Sequence, residues 1–247
     1  MRVTVLGGCG AWPAAGQACS GYLVEHQGFR LLVDPGYAVL PRLLERVVAE
    51  DVDAVLVSHG HPDHCADLHP LVRARALAPD PPGTLPVYSL PGAVDAVMAL
   101  DRPGALDHAY ALREFTAGDR FEIGPFQVDS WLLPHFVPNA GVRLTADGRT
   151  VAYTGDTGPS EDLVTLARDA DVFLAEATYP EVVPQRHAGM LSSARLAGGY
   201  AARAGVGRLL LTHLWPGTSP EAVRDVACAE FSGAVEVSRG GLVIDLG

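Results

Sequence analysis

Apolar residues recur along this chain with two periods, and the switches between them set the expected order of elements. Residues 2–6 alternate in the period of two that a strand with one buried face requires, and residues 21–25 and 30–34 read as a hairpin turning at Gln27-Gly28. Leu40, Leu43, Leu44, Val47 and Val48 then fall at helical spacing, with Pro41 early in the run where a helix tolerates it. The continuous run Ala54-Val55-Leu56-Val57 reads as a strand. Helical spacing returns at 68–77 and 91–100, on either side of a short strand at 87–90. Strands are expected at 121–123 and 126–133, followed by a second hairpin, 142–145 and 150–153, turning at Asp147-Gly148. A helix at 163–167, capped by Ser160 with Glu161 and Asp162 in its first turn, precedes a strand at 172–175. A helix at 190–204 precedes a strand at 208–211, Ser219-Pro220-Glu221 opens the last helix, and residues 242–246 close the chain as a strand. Strands and helices occur in both halves with no linker between them. The expectation is one α/β domain over residues 1–247, with two mixed sheets face to face and helices outside.

Composition changes this picture little but narrows the function. A chain of 247 residues that is 48% hydrophobic and 19% charged builds a sizeable core. Every basic residue is Arg, and the formal charge is −11, which argues against a sequence-independent grip on a phosphate backbone and leaves room for a small anionic substrate. Cys9, Cys19, Cys65 and Cys228 lack paired spacing and read as reduced thiols. Cys65, directly after His64, reads as a small buried residue or as a support for its neighbour. The opening apolar run is too short for a signal peptide and no run approaches a membrane span, so a cytoplasmic protein without membrane contact is expected. Gly7-Gly8-Cys9-Gly10 follows the first strand, but no helix pattern follows it; it reads as a tight loop near the site and not as a nucleotide fingerprint.

The chemistry begins at Ser58-His59-Gly60-His61-Pro62-Asp63-His64. In an extended segment His59, His61 and Asp63 share one side, and His64 adds a fourth donor as the chain turns. Four donors exceed what one open catalytic zinc takes from protein, so the motif reads as parts of two adjacent sites. His59, His135, Asp156 and His213 each stand just beyond the carboxyl end of an apolar strand, where α/β folds gather ligand groups. His59, His61 and His135 could supply one metal, Asp63, His64 and His213 the other, and Asp156 could bridge both. Two metals about 3.5–4 Å apart acidify a shared water and clamp attacking and leaving oxygens. Imidazole and carboxylate donors suit zinc first, without excluding manganese or iron. His26 and His108 read as surface residues, His69 as packed or exposed, and Arg143 and Arg186 as cations able to meet a phosphate.

His59-x-His61-x-Asp63-His64, His135, Thr154-Gly155-Asp156-Thr157 and Thr212-His213 together resemble the metallo-β-lactamase superfamily, in order and along nearly the whole chain. The resemblance implies an αββα sandwich. Asp156 stands where the β-lactamases carry cysteine, and His61 where the diiron flavoproteins carry glutamate, which speaks against both branches. Phe173-Leu174-Ala175-Glu176-Ala177-Thr178, His187 and the segment 209–213 resemble the ribonuclease Z branch of phosphodiesterases. That likeness implies that His187 assists phosphoester cleavage and that Glu176 supports it, with Asp63 in the catalytic centre; it also implies a homodimer. Ala175 departs from the histidine usual there, and the 21 positions from His135 to Asp156 leave no room for a tRNA-holding arm. Segments 20–23, 153–158 and 211–218 are similar to small actinobacterial cyclic-nucleotide phosphodiesterases. The expected function is therefore hydrolysis of a phosphodiester, a 3′,5′-cyclic nucleotide first, by a metal-activated hydroxide. The rivals are a lactone or thioester hydrolase, a ribonuclease Z-type RNA processor, and a non-catalytic metal-dependent sensor.

Overall fold

The computed structural model describes residues 1–247. Its strands form two seven-stranded sheets. The first contains β1 (Arg2–Gly7), β2 (Gly21–His26), β3 (Phe29–Val33), β4 (Ala54–Val57), β5 (Leu85–Ser89) and β6 (Tyr110–Glu114) in chain order, with β14 (Val243–Asp245) returning to pair with β1. The second runs β7 (Arg120–Ile123), β8 (Phe126–Leu133), β9 (Asn139–Ala146), β10 (Arg149–Tyr153), β11 (Val172–Glu176), β12 (Arg208–Thr212) and β13 (Ala234–Val237). Each sheet is mixed: β3 to β6 are parallel, as are β10 to β13, and the remaining neighbours are antiparallel.

Alternation along the strands explains why they stack. In β3 Leu31 and Val33 face the second sheet while Leu32 faces outward; in β11 Val172 and Leu174 face the first sheet while Phe173 and Ala175 face outward. The inward set builds a core between the sheets with Phe126, Val142 and Leu210. The outward sets are covered by helices: α1 (Val39–Leu44), α3 (Leu68–Ala76) and α4 (Asp95–Met98) on the first sheet, α5 (Asp162–Ala167), α6 (Ala194–Ala204) and α7 (Pro220–Glu230) on the second. A strand buried on both faces carries no polar alternation, which is why Ala54–Val57 is apolar throughout. The result is the expected four-layer sandwich.

Several expectations need correction. β6 and β13 are strands that the apolar pattern does not announce; both lie at sheet edges, where one neighbour and a partly solvated face demand few apolar residues. The helix expected at 91–100 is only Asp95–Met98, after a turn in which Gly92 has φ +75°. The helix expected at 190–204 begins at Ala194, where Ser193 caps it by accepting the Leu196 N–H. Residues before it are drawn off into the site: the Ser192 N–H goes to Glu176. Helix α5 starts one residue after Glu161, although the Ser160 hydroxyl still accepts the Asp162 N–H. His26, expected at the surface, is half-buried there: its side chain is 10% exposed and bridges to Asp147 in the β9–β10 turn. No helix is long and apolar enough to cross a membrane.

Candidate metal centre

One end of the sandwich collects the carboxyl ends of β3, β4, β10, β11 and β12 together with the end of β8. There His59, Asp63, His64, Asp156 and His213 are buried, and His61 and His135 are half-buried. Pro62 at the first position of the short helix α2 (Pro62–Cys65) turns the chain so that Asp63 and His64 follow the extended His59 and His61. The seven side chains form two groups, His59, His61, His135 and Asp156, and Asp63, His64, His213 and Asp156, each with ligand-type atoms within 4.8 Å of one another. Asp156 belongs to both, in the division expected from the sequence.

The protonation of the imidazoles follows from what lies behind them. His64 Nδ1–H donates to Asp34 Oδ2 at 2.7 Å and His135 Nδ1–H to the Met190 carbonyl at 2.9 Å. The Ser58 hydroxyl donates to Asp34 and so accepts His59 Nδ1–H at 3.0 Å; the Thr178 hydroxyl donates to Glu176 and so accepts His213 Nδ1–H at 2.8 Å. When these four rings are neutral the Nε2 lone pair faces the cluster, the arrangement that outward hydrogen bonds impose on metal-binding histidines. His61 presents Nδ1 instead, 3.2 Å from His59 Nε2 and 3.0 Å from His135 Nε2. One proton on His61 cannot satisfy two facing lone pairs. On the other side His64 Nε2 and Asp156 Oδ1 are buried without a hydrogen-bond partner and lie 3.2 Å apart. Converging imidazole nitrogens around a shared buried carboxylate are what a divalent cation satisfies in place of protons, so these residues fit metal ions.

Electrostatics agree. Burial favours a neutral Asp156, but His213 and His64 overcome it and hold the carboxyl well below its usual range; Asp63 is lowered the same way by His64 and His213. Burial depresses His59 and His135, whereas the Asp156 and Asp63 carboxylates outweigh burial at His64 and raise it. Burial and the Asp156 charge push Glu176 up to about 7.

The sequence motifs leave part of the site unread. Asp34, fully buried, accepts from the Ser58 N–H, the Ser58 and Tyr153 hydroxyls and His64, and thereby sets two rings at once. The Ala11 N–H donates to Asp63 Oδ2 at 2.7 Å, so the glycine-rich loop does reach the site. Asp34, Ala11 and His213 all have left-handed backbones, with φ of 51°, 62° and 61°. Such strain costs about 1–3 kcal/mol each and is held by the surrounding bonds. Gly10 packs so closely on the His213 ring that a Cβ there would meet it at 2.6 Å. Glu176 makes no hydrogen bond to His187. It accepts from the Thr157 and Ser192 N–H groups and the Thr178 hydroxyl, and so orients His213 through Thr178. The partner of His187 is the Tyr179 hydroxyl, 2.6 Å from Nδ1. His187 reaches the cluster indirectly: its carbonyl accepts the Met190 N–H, and the Met190 carbonyl holds His135. Arg143 is tied to the Leu166 and Arg168 carbonyls beside α5 and is not a phosphate ligand, whereas Arg186 is exposed on the His187 loop. The buried Cys65 thiol donates to the His61 carbonyl, and burial pushes it up to about 12, which makes it an unreactive support.

Comparison with known proteins decides the family. Residues 29–214 match the family described as a beta-lactamase superfamily domain. The probable metallo-hydrolase YhfI of Bacillus subtilis is 34% identical over 246 residues, covering 98% of this chain and 99% of its own. The chain belongs to the β-lactamase superfamily of metallo-hydrolases. The crystal structure of YhfI superposes with a TM-score of 0.89 over 98% of both chains at 33% identity. A ribonuclease Z of Mycobacterium bovis is 31% identical over 267 residues, 96% of this chain and 95% of that one, which sets this superfamily member in the ribonuclease Z-like branch. The short form of human tRNase Z, at 22% identity and a TM-score of 0.80 over the full length of both chains, shares the fold. The protein is a metal-dependent hydrolase of that fold.

Proposed function

We propose that this hydrolase is a dinuclear phosphodiesterase whose substrate is a 3′,5′-cyclic nucleotide. The observation that carries the reading is the pair of four-donor groups sharing Asp156, all four Nδ1-bonded imidazoles turned the same way. His59, His61, His135 and Asp156 would hold one ion and Asp63, His64, His213 and Asp156 the other. Bound there, two divalent ions, zinc first, would supply Lewis acidity toward phosphoryl oxygens and a water acidified toward neutrality. The chain does the rest. Asp34, Ser58, Thr178 and the Met190 carbonyl keep the rings in register, and the Ala11 N–H fixes the orientation of Asp63. Because the Tyr179 hydroxyl occupies His187 Nδ1, Nε2 is the ring's free nitrogen and can deliver a proton to the departing alkoxide. β9 and β10 take up the interval from His135 to Asp156, and the charge of −11 favours a small substrate over an RNA.

The test is turnover of cyclic AMP and of bis(p-nitrophenyl) phosphate by one preparation with its metal content measured. Cleavage of both is expected. Cleavage of the chromogen alone would discard the nucleotide, and silence on both with two ions bound would move the reading to a lactone or thioester. His187→Ala is expected to lower turnover about 10²–10⁴-fold with metal content intact. Unchanged turnover would remove His187 from the proton transfer. Asp34→Ala releases two rings at once and is expected to weaken metal affinity about 10–100-fold in a chelator competition titration.

A further inference from the structure

Five aromatic rings form a continuous arc beside the cluster. Phe136 follows His135 and packs against its ring, with centroids 5.2 Å apart; His187 lies 6.1 Å from Phe136, Trp215 6.1 Å from His187, and Trp12 5.9 Å from Trp215. Tyr179 backs the middle of the arc, 6.0 Å from His187 and 5.3 Å from Trp215. Both ends are fastened to the metal-type donors. Phe136 adjoins His135 of one group, and Trp12 adjoins Ala11, whose N–H holds Asp63 of the other.

None of the five rings is buried, and the outer two, Trp12 and Phe136, are 48% and 54% exposed. Contiguous aromatics that reach solvent mark binding sites, and the edge-on contacts of His187 with Phe136 and Trp215, with the tilted pairs of Tyr179 and of the two tryptophans, hold the rings in fixed orientations. The charge of −11 gives an anionic substrate no long-range attraction, so affinity beyond the phosphate has to come from contact. Two exposed rings at the ends, Trp12 and Phe136, with half-buried rings between them offer that contact to a flat group. The cavity of about 420 Å³ that Trp215 also lines, with Gln17, Thr218 and Arg239, contains none of the cluster's donors.

We propose that this arc is the subsite for the nucleobase of the substrate, with Trp215 as its stacking surface and Trp12 as its outer wall. The assignment rests on the phosphodiesterase reading above. Base–aromatic stacking tolerates any base because each has a π-face, so the arc gives affinity for nucleotides as a class without choosing among them.

The experiment measures binding of 5′-AMP and of ribose 5-phosphate, which shares the sugar phosphate and lacks the base, to the zinc-loaded protein by calorimetry, with tryptophan emission followed in parallel. AMP is expected to bind about tenfold or more tighter and to quench emission, while ribose 5-phosphate does not quench. Trp12→Leu, at an exposed position, and Trp215→Leu are each expected to shrink the AMP advantage several-fold while ribose 5-phosphate affinity stays within about twofold. Trp131, on β8 against the α5–α7 layer, remains as an unresponsive background. Equal affinity of the two ligands for the unaltered protein, or an AMP advantage that survives both substitutions, would overturn the arc and leave the phosphodiesterase reading standing. Failure of both ligands to bind the loaded protein would overturn both.

Discussion

On the two-ion reading proposed above, Asp156→Ala is expected to strip both ions from the protein and to lower turnover about a thousandfold or more, roughly 4 kcal/mol of transition-state stabilisation. Asp156 is 2% exposed and is common to both donor groups, with Oδ2 3.0 Å from His213 Nε2 and Oδ1 3.2 Å from His64 Nε2. Without it each group keeps three donors, and the second group keeps a single carboxylate against two imidazoles. Asp63→Ala removes a donor from one group only. After desalting, elemental analysis should therefore find about two equivalents in the unaltered protein, about one in Asp63→Ala and well under one in Asp156→Ala. Equal losses in the two variants would mean that Asp156 is not shared.

Chelation is the second large effect. An ion present at a hundred times its dissociation constant stabilises the folded state by about 2.7 kcal/mol, and in a chain of this size each kcal/mol moves Tm by about 2–4 °C. Removal of two ions should lower Tm by about 10 °C or more in calorimetry, and coincident melting curves would exclude metal from the folded state. The pH dependence has a definite sign. In the metal-free protein the Asp156 and Asp63 carboxylates raise His64 well above its usual value, so its charged form stabilises the fold below about pH 6.5 and that contribution is lost as pH rises through the folded value. The chelation penalty should therefore be larger at pH 8 than at pH 6.

That these seven side chains converge was legible because their chemistry is written at strand ends. An apolar run followed at once by His or Asp recurs at His59, His135, Asp156 and His213, and Pro62 betrays the turn that brings Asp63 and His64 round. Asp34 ends β3 in the same way but stands alone, and one aspartate after a strand reads equally as a turn. It could have been found by applying the strand-end rule to every strand. The partners of Glu176 and His187 depend on how residues 178–193 fold back, which neither periodicity nor spacing encodes. The aromatic arc draws on loops far apart in the chain, around positions 12, 136, 179–187 and 215, so only three-dimensional assembly reveals it. The edge strands β6 and β13 escaped because burial, which writes the apolar pattern, is weakest there.

The two sheets divide the donors between them: His59, His61, Asp63 and His64 follow a strand of the first, while His135, Asp156 and His213 follow strands of the second. The first four follow a single strand, β4, whereas the other three are separated along the chain and follow β8, β10 and β12. Then β14 returns to complete the sheet begun by β1. Neither sheet alone presents either full group of donors, so the cluster exists only where the two sheets are packed together.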